Sequence, residues 1–244
     1  MPSSPRFLVV AGLFLTALIT ANITAVKLFQ VASVSLPWGG QVLVVLPAGV
    51  LVFPLSYIVN DVLTEVYGYR SARAVIWLGF LCNGVAVLFI WLGGLLPPAP
   101  GWEGQEAYQR ILGYTPRLVA ASFAGYLVGE LANARVLARL KVATRGRWLW
   151  FRTITSTLVG QGLDSLVFIT IAFVGTVGAG LLVQIVITQW LAKSLYEALA
   201  TPLTYLVVGY IKRREGVDTY DYGLTLNPLQ VLRGGQKSPG SPTR

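Results

Sequence analysis

The sequence predicts an all-α polytopic membrane protein of six transmembrane helices, the second broken by prolines, with both termini in the cytoplasm. Three observations lead there. The 244 residues are 55% hydrophobic and only 12% charged, at mean hydropathy +0.65, whereas soluble domains carry about 25% charged residues. The apolar residues fall into six long segments, each near the ~20 residues that one helical crossing needs. The Lys and Arg residues gather in alternate connections, the bias that fixes orientation in a bilayer.

The first segment, Phe7–Lys27, is too long for a cleaved signal peptide and carries Thr16, Thr20, Asn22 and Thr24. The second, Val42–Val59, holds Pro47 and Pro54. A broken span is expected there, tolerated where the freed backbone faces protein or a cavity. The third and fourth are Ala74–Leu96 and Leu118–Leu137, and the fifth is Ile154–Val174. The sixth, Leu181–Ile211, is overlong and contains Pro202, so it is expected to tilt or kink. Residues 1–215 are read as one membrane domain and 216–244 as a cytoplasmic tail. From Arg233 onward the tail is rich in Gly, Pro, Ser and basic residues and is expected to be largely disordered.

Arg135, Arg139, Lys141, Arg145, Arg147 and Arg152 follow or flank the fourth segment, and Lys212, Arg213 and Arg214 end the sixth. Arg6 precedes the first, and Arg70 and Arg73 lie between the second and third. The opposite side is poor in charge: 33–41 and 175–180 have none, and 97–116 sets Glu103 and Glu106 against Arg110. Trp38, Trp91 and Trp102 fall at outer ends and Trp77, Trp148 and Trp150 at inner ends, as interfacial aromatics do. This bias accounts for the net charge of +9, so no direct nucleic-acid partner is expected; the partners are the lipid bilayer and a small molecule.

Several chemistries are excluded by composition. Histidine is absent and Cys82 is the single cysteine, which removes His-based triads, His-ligated metal, disulfides and thiolate clusters. No GxSxG, HExxH or Walker motif occurs. Gly160, Gly162 and Asp164 do not make the GxGD of an intramembrane aspartyl protease. Neither catalytic residues nor a cofactor or metal site is expected. Gly125 and Gly129 form GxxxG, which marks close helix packing or a homodimer face.

Polar residues inside the spans carry the functional signal, because each ionisable one costs at least ~2.5–3.5 kcal/mol and usually faces a cavity or a partner. Gln161 and Asp164 share a face of the fifth segment, and Gln189, Lys193 and Glu197 form a stripe at i, i+4, i+8 on the sixth, beside Trp190. Glu130 and Asn133 share a face of the fourth. Asn22 lies in the first segment and Asn83 in the third, while Tyr57, Asp61 and Glu65 are spaced by four. One reading is structural: Lys193 pairs with Glu197 or Asp164 to fix register, and Asp61 and Glu65 pair with Arg70 and Arg73 in a cytoplasmic loop. The other is a polar pocket, favoured by the number of spans that contribute.

Phe53-Pro54-Leu55-Ser56-Tyr57-Ile58-Val59-Asn60-Asp61-Val62-Leu63-Thr64-Glu65-Val66-Tyr67-Gly68-Tyr69, with Ala72-Arg73 and Gly79-Phe80 before Asn83, resembles the signature of the queuosine precursor transporters, a group within the vitamin-uptake proteins. Ala21-Asn22 through Lys27, Gly160-Gln161, Asp164-Ser165, Phe168, Lys193, Tyr196-Glu197 and Pro202 extend the resemblance over nearly the whole chain, apart from the tail and residues 97–116.

The resemblance implies a multi-pass importer in the bacterial inner membrane that carries 7-deazaguanines such as 7-cyano-7-deazaguanine for salvage into tRNA modification. Its alternatives are a substrate-binding subunit of an energy-coupling-factor type transporter, or an importer of another small heterocycle. A flat, donor-rich ring fits the pocket residues. Asp164 or Glu130 accepts the edge protons, Gln161, Asn22 or Lys193 donates to the carbonyl, and Trp190, Phe168 or Tyr57 covers a face. Without histidine, proton coupling falls to Glu197, Asp61 or Glu65.

Overall fold

The computed structural model describes residues 4–35, 41–144 and 149–215. Trp38, Trp148 and the tail from residue 216 lie outside the described residues. Helix α1 spans Pro5–Thr24, opened by Ser4, whose hydroxyl accepts from the Phe7 amide, and by proline at its first position. Two strands follow, β1 (Leu28–Ser35) and β2 (Gln41–Pro47), then a short 3-10 turn (Ala48–Val52) and α2 (Phe53–Tyr67). Helix α3 is Tyr69–Leu95, α4 is Gln105–Ile111, α5 is Thr115–Ala143, α6 is Leu149–Phe173 and α7 is Ala179–Glu215.

The prolines break the second apolar segment as expected, but the outcome is not all-helical. Its first part pairs as an antiparallel hairpin with the stretch before it, running from Leu28↔Pro47 to Ser35↔Gln41 with an irregularity between Gln30 and Ala32. Pro47 lacks the N–H that would carry a helix onward, and Pro54 sits in the first turn of α2, where none is needed. The hairpin is tied to α7: Gln184 Oε1 accepts from the Leu43 amide at 3.2 Å, and Thr188 Oγ1 donates to the Val45 carbonyl at 2.7 Å. Helix α2 runs past Val59 to Tyr67, so Asp61 and Glu65 lie on a helix rather than in a loop. Gly68 alone joins it to α3, at φ 85°, a left-handed conformation that glycine adopts without a side-chain clash.

The connection after α3 carries a short helix, α4, within the stretch 97–116 that lies between the third and fourth apolar segments. It packs back on α3 through Tyr108, whose hydroxyl donates to the Ile90 carbonyl at 2.9 Å, and Gln105, which donates to that of Gly94 at 3.1 Å. Helices α5 and α6 form the most extensive pair. Built on Gly125, a Cβ would stand 2.7 Å from Asp164 Oδ1; on Gly129 it would stand 2.8 Å from the Gly160 carbonyl. The GxxxG face is thus used within the chain, where it lets two backbones approach. Pro202 lies inside α7, which continues through it as one helix of 37 residues.

Two apolar clusters hold the helices. One joins Phe7, Phe14, Val62, Leu63, Val75 and Ile211 from α1, α2, α3 and α7. The other joins Ala25, Val45, Leu118, Phe168, Ile169 and Ile185 around the hairpin, α5, α6 and α7. The outer surface reverses soluble logic. Asn22, Asn83, Gln189 and Lys193 are buried, while Leu81, Phe89, Leu191, Leu199 and Leu206 are exposed. Four stretches among the described residues are long and apolar enough to cross a membrane: 5–24, 48–67, 70–95 and 154–173. Helices α5 and α7 are longer still but are interrupted by Arg117 and Glu130, and by Lys193 and Glu197. The chain is a mostly helical, polytopic membrane protein.

Candidate functional site

A cavity of about 520 Å³ opens among α1, α2, α3, α5, α6 and α7, within the ~300–1,000 Å³ usual for small-molecule sites. Its lining draws on both apolar clusters, Phe14 and Ala72 from one, Ala25 and Phe168 from the other. Pro47, Gly49 and Val50, at the end of the hairpin and in the turn after it, also border the cavity. A Cβ on Gly49 would overlap the Ala21 carbonyl, so only glycine lets this turn reach α1.

The polar stripe of α7 meets the polar face of α6 along this cavity. Lys193 Nζ is ion-paired to Asp164 Oδ2, and one turn further along α7 Glu197 Oε2 accepts from Gln161 Nε2 at 3.3 Å. The two rungs follow from antiparallel helices: a step toward the end of α7 matches a step toward the start of α6. Lys193 therefore pairs across the helices with Asp164 and not along its own helix with Glu197, one of the two partners foreseen. Its ammonium also lies 5.0 Å from the centroid of the Phe53 ring, a cation–π contact that offsets part of the desolvation.

The expected residues divide on inspection. Tyr57, Glu130, Gln161, Asp164, Lys193 and Glu197 line the cavity together with Asn22, and so do Asp61 and Glu65. Asn83 does not; it is fully buried behind Asn22, and Asn22 Nδ2 donates to Asn83 Oδ1 at 3.1 Å and to the Leu18 carbonyl at 3.1 Å. It therefore positions a wall residue. Trp190 is absent from the lining as well. Its indole N–H donates to the Leu158 carbonyl at 3.0 Å, with the ring against Gly162 and 36% of the residue exposed. One residue along a helix is a rotation of about 100°, which carries Trp190 off the face that holds Gln189 and Lys193. Glu65 pairs with Lys212 of α7 at 3.8 Å, not with the arginines expected, and Arg73 lines the cavity itself.

Aromatic residues on several sides complete the site. Phe53, Phe80 and Tyr126 line it beside Tyr57 and Phe168, and the Phe80 and Tyr126 rings are 5.5 Å apart. Phe53 and Phe80 lie in the stretch that carries the resemblance; only the assembled helices bring them to the cavity that Asp164 also lines. Gln189 and Asn133 are further lining amides. Among the described residues no group of three or more His, Cys, Asp or Glu stands together as a metal site. Chemically, the arrangement offers paired carboxylates and amides between aromatic faces, enclosed by apolar helices.

Comparison with known proteins bears on this site. Residues 47–207, which include most of the cavity lining, match a family model described as "Putative vitamin uptake transporter". The chain is 28% identical to a "Probable queuosine precursor transporter" of Bacillus subtilis over 191 residues, covering 78% of this chain and 79% of the relative. It is 29% identical to the "Queuosine precursor transporter" of Escherichia coli over 125 residues, 51% of this chain and 54% of that protein. A similar protein of Haemophilus influenzae is 29% identical over 125 residues, 51% of each chain. No solved structure matches the chain.

Proposed function

The chain belongs to the vitamin uptake transporter family, and from that premise we propose that it imports queuosine precursors, 7-deazaguanines such as 7-cyano-7-deazaguanine, across the bacterial inner membrane for salvage into tRNA modification. The observation that carries the reading is the cavity whose wall sets Asp164–Lys193 and Gln161–Glu197 beside aromatic rings. A 7-deazaguanine is flat and neutral, with N–H donors and a carbonyl on its edge. Phe53, Tyr57, Phe80 and Phe168 offer faces for the ring, and Asp164 and Glu130 offer acceptors for its edge. The names of the relatives support the same substrate class.

In this reading all six long helical segments cross the bilayer and both termini are cytoplasmic, with α5 and α7 admitted because Glu130, Lys193 and Glu197 line the cavity. Asp61, Glu65 and Glu197, on α2 and α7, are the candidates for proton coupling. The purified protein tests the substrate directly. A ligand at 100 times its dissociation constant adds ~2.7 kcal/mol of stability, so saturating 7-cyano-7-deazaguanine should raise the melting temperature and an unrelated vitamin should not. An unchanged melting temperature at millimolar ligand contradicts the assignment.

A further inference from the structure

Several of the cavity's polar side chains already have partners: Asn22 is held by Asn83, Gln161 by Glu197 and Asp164 by Lys193, while Asn133 Oδ1 on α5 is buried without one among the described residues. Gln189 is the exception on the polar stripe. It lines the cavity one helical turn before Lys193, is 1% exposed, and its Oε1 has no hydrogen-bond partner among the described residues. A buried carbonyl left unmatched costs about 1–3 kcal/mol, and the hydrocarbon around a membrane helix offers it no partner. The residue is also costly in sequence terms, since leucine at that position would insert more readily. A primary amide so placed has a definite complement. Its carbonyl oxygen and NH₂ lie side by side, matching a ligand that presents an N–H donor next to a C=O acceptor, the cis-amide edge of a heterocyclic lactam. The amide's terminal torsion is soft, so a small rotation turns both groups to the cavity together.

We propose that Gln189 determines specificity in this cavity by forming a two-hydrogen-bond pair with the lactam edge of the substrate. Gln189 Oε1 accepts from the ring N–H, and Nε2 donates to the ring carbonyl. This rests on the reading of the protein as a 7-deazaguanine importer and assigns that ring an orientation, lactam edge toward α7. The ammonium of Lys193 is then not needed at the ring carbonyl and holds Asp164, which with Glu130 remains an acceptor for the exocyclic amine. A site built on such a pair discriminates strongly against an analogue that lacks the matching groups, because its own polar atoms are then left unpaired.

The test compares two probes on the purified full-length protein by equilibrium binding: 7-cyano-7-deazaguanine, and its 6-O-methyl ether, which has neither the lactam N–H nor the carbonyl. The wild-type protein should prefer the lactam at least tenfold. Gln189→Leu should bring that ratio close to one, chiefly by weakening the lactam, while the melting temperature without ligand stays the same or rises. Gln189→Met reads the same ratio with an unbranched chain if the leucine variant fails to fold. A folded variant that keeps the wild-type ratio overturns the assignment of Gln189 and leaves the importer reading standing. A wild-type protein that binds neither probe overturns the importer reading, and the assignment with it.

Discussion

At the scale of single residues, the pairing of Asp164 with Lys193 carries the most consequence, because removal of either partner strands a buried charge. Such a loss costs roughly 3–5 kcal/mol, whereas replacing both partners by apolar residues is often neutral. Two variants separate architecture from transport. Asp164→Asn should reduce uptake at least tenfold, since the amide neither balances Lys193 nor accepts two hydrogen bonds on one edge. The double variant Asp164→Leu with Lys193→Met should fold and reach the membrane, as judged by its yield and its elution as a single species, yet remain inactive. Full uptake by the double variant would reduce the pair to a structural device. The stripe on α7 was legible in the sequence because four residues always return to one helix face. Which of its two foreseen partners Lys193 takes, Asp164 or Glu197, was not, because the register between α6 and α7 is set by packing. Trp190 was misplaced for another reason: it adjoins Gln189 in sequence, and the rotation of about 100° per residue puts it on another face of the helix.

At the scale of elements, the hairpin is where pattern and structure part. Residues 42–47 form a short continuous apolar run that joins the apolar start of α2, and such a run reads equally as buried strand or as helix. Pro47 gave the break but not the state of the chain before it. The short α4 was hidden by the polar composition of its loop. By contrast, the signals at Gly125 and Gly129 were legible and now have a location, the crossing of α5 and α6 that presents Asp164. A Cβ at Gly129 would meet Asp164 Cβ at 2.8 Å and the Gly160 carbonyl at 2.8 Å, so neither neighbour can yield cheaply. Gly129→Val should therefore lower the melting temperature, with a loss of about 1–3 kcal/mol, and weaken ligand binding as Asp164 is displaced. Gly12, with nothing within 4 Å of a Cβ, provides the control: Gly12→Val should leave both unchanged.

At the scale of the whole molecule, the distribution of polarity separates a membrane reading from a soluble one. Val183, Ile187, Leu191, Leu195, Leu199 and Leu203 recur every four residues along α7 and are all exposed, while Gln189 and Lys193 on the same helix are buried. Only an apolar solvent makes that arrangement favourable. The proposed six-span topology puts most Lys and Arg on the cytoplasmic side, the bias that sets orientation in a bilayer. In a Cys82→Ser background, Gly101→Cys and Gly178→Cys should react with an impermeant maleimide added outside intact cells, and Thr144→Cys only after the membrane is opened. Labelling of position 144 from outside would reverse the orientation.

The central claim is that the cavity carries a 7-deazaguanine inward. It is tested most directly by uptake of radiolabelled 7-cyano-7-deazaguanine into a bacterial host that neither makes the compound nor encodes an energy-coupling-factor module. Cells expressing this chain should accumulate label well above cells carrying the empty vector, and excess unlabelled 7-cyano-7-deazaguanine should abolish the difference. Cells with the protein verified in the membrane that take up no more label than the control would contradict the account.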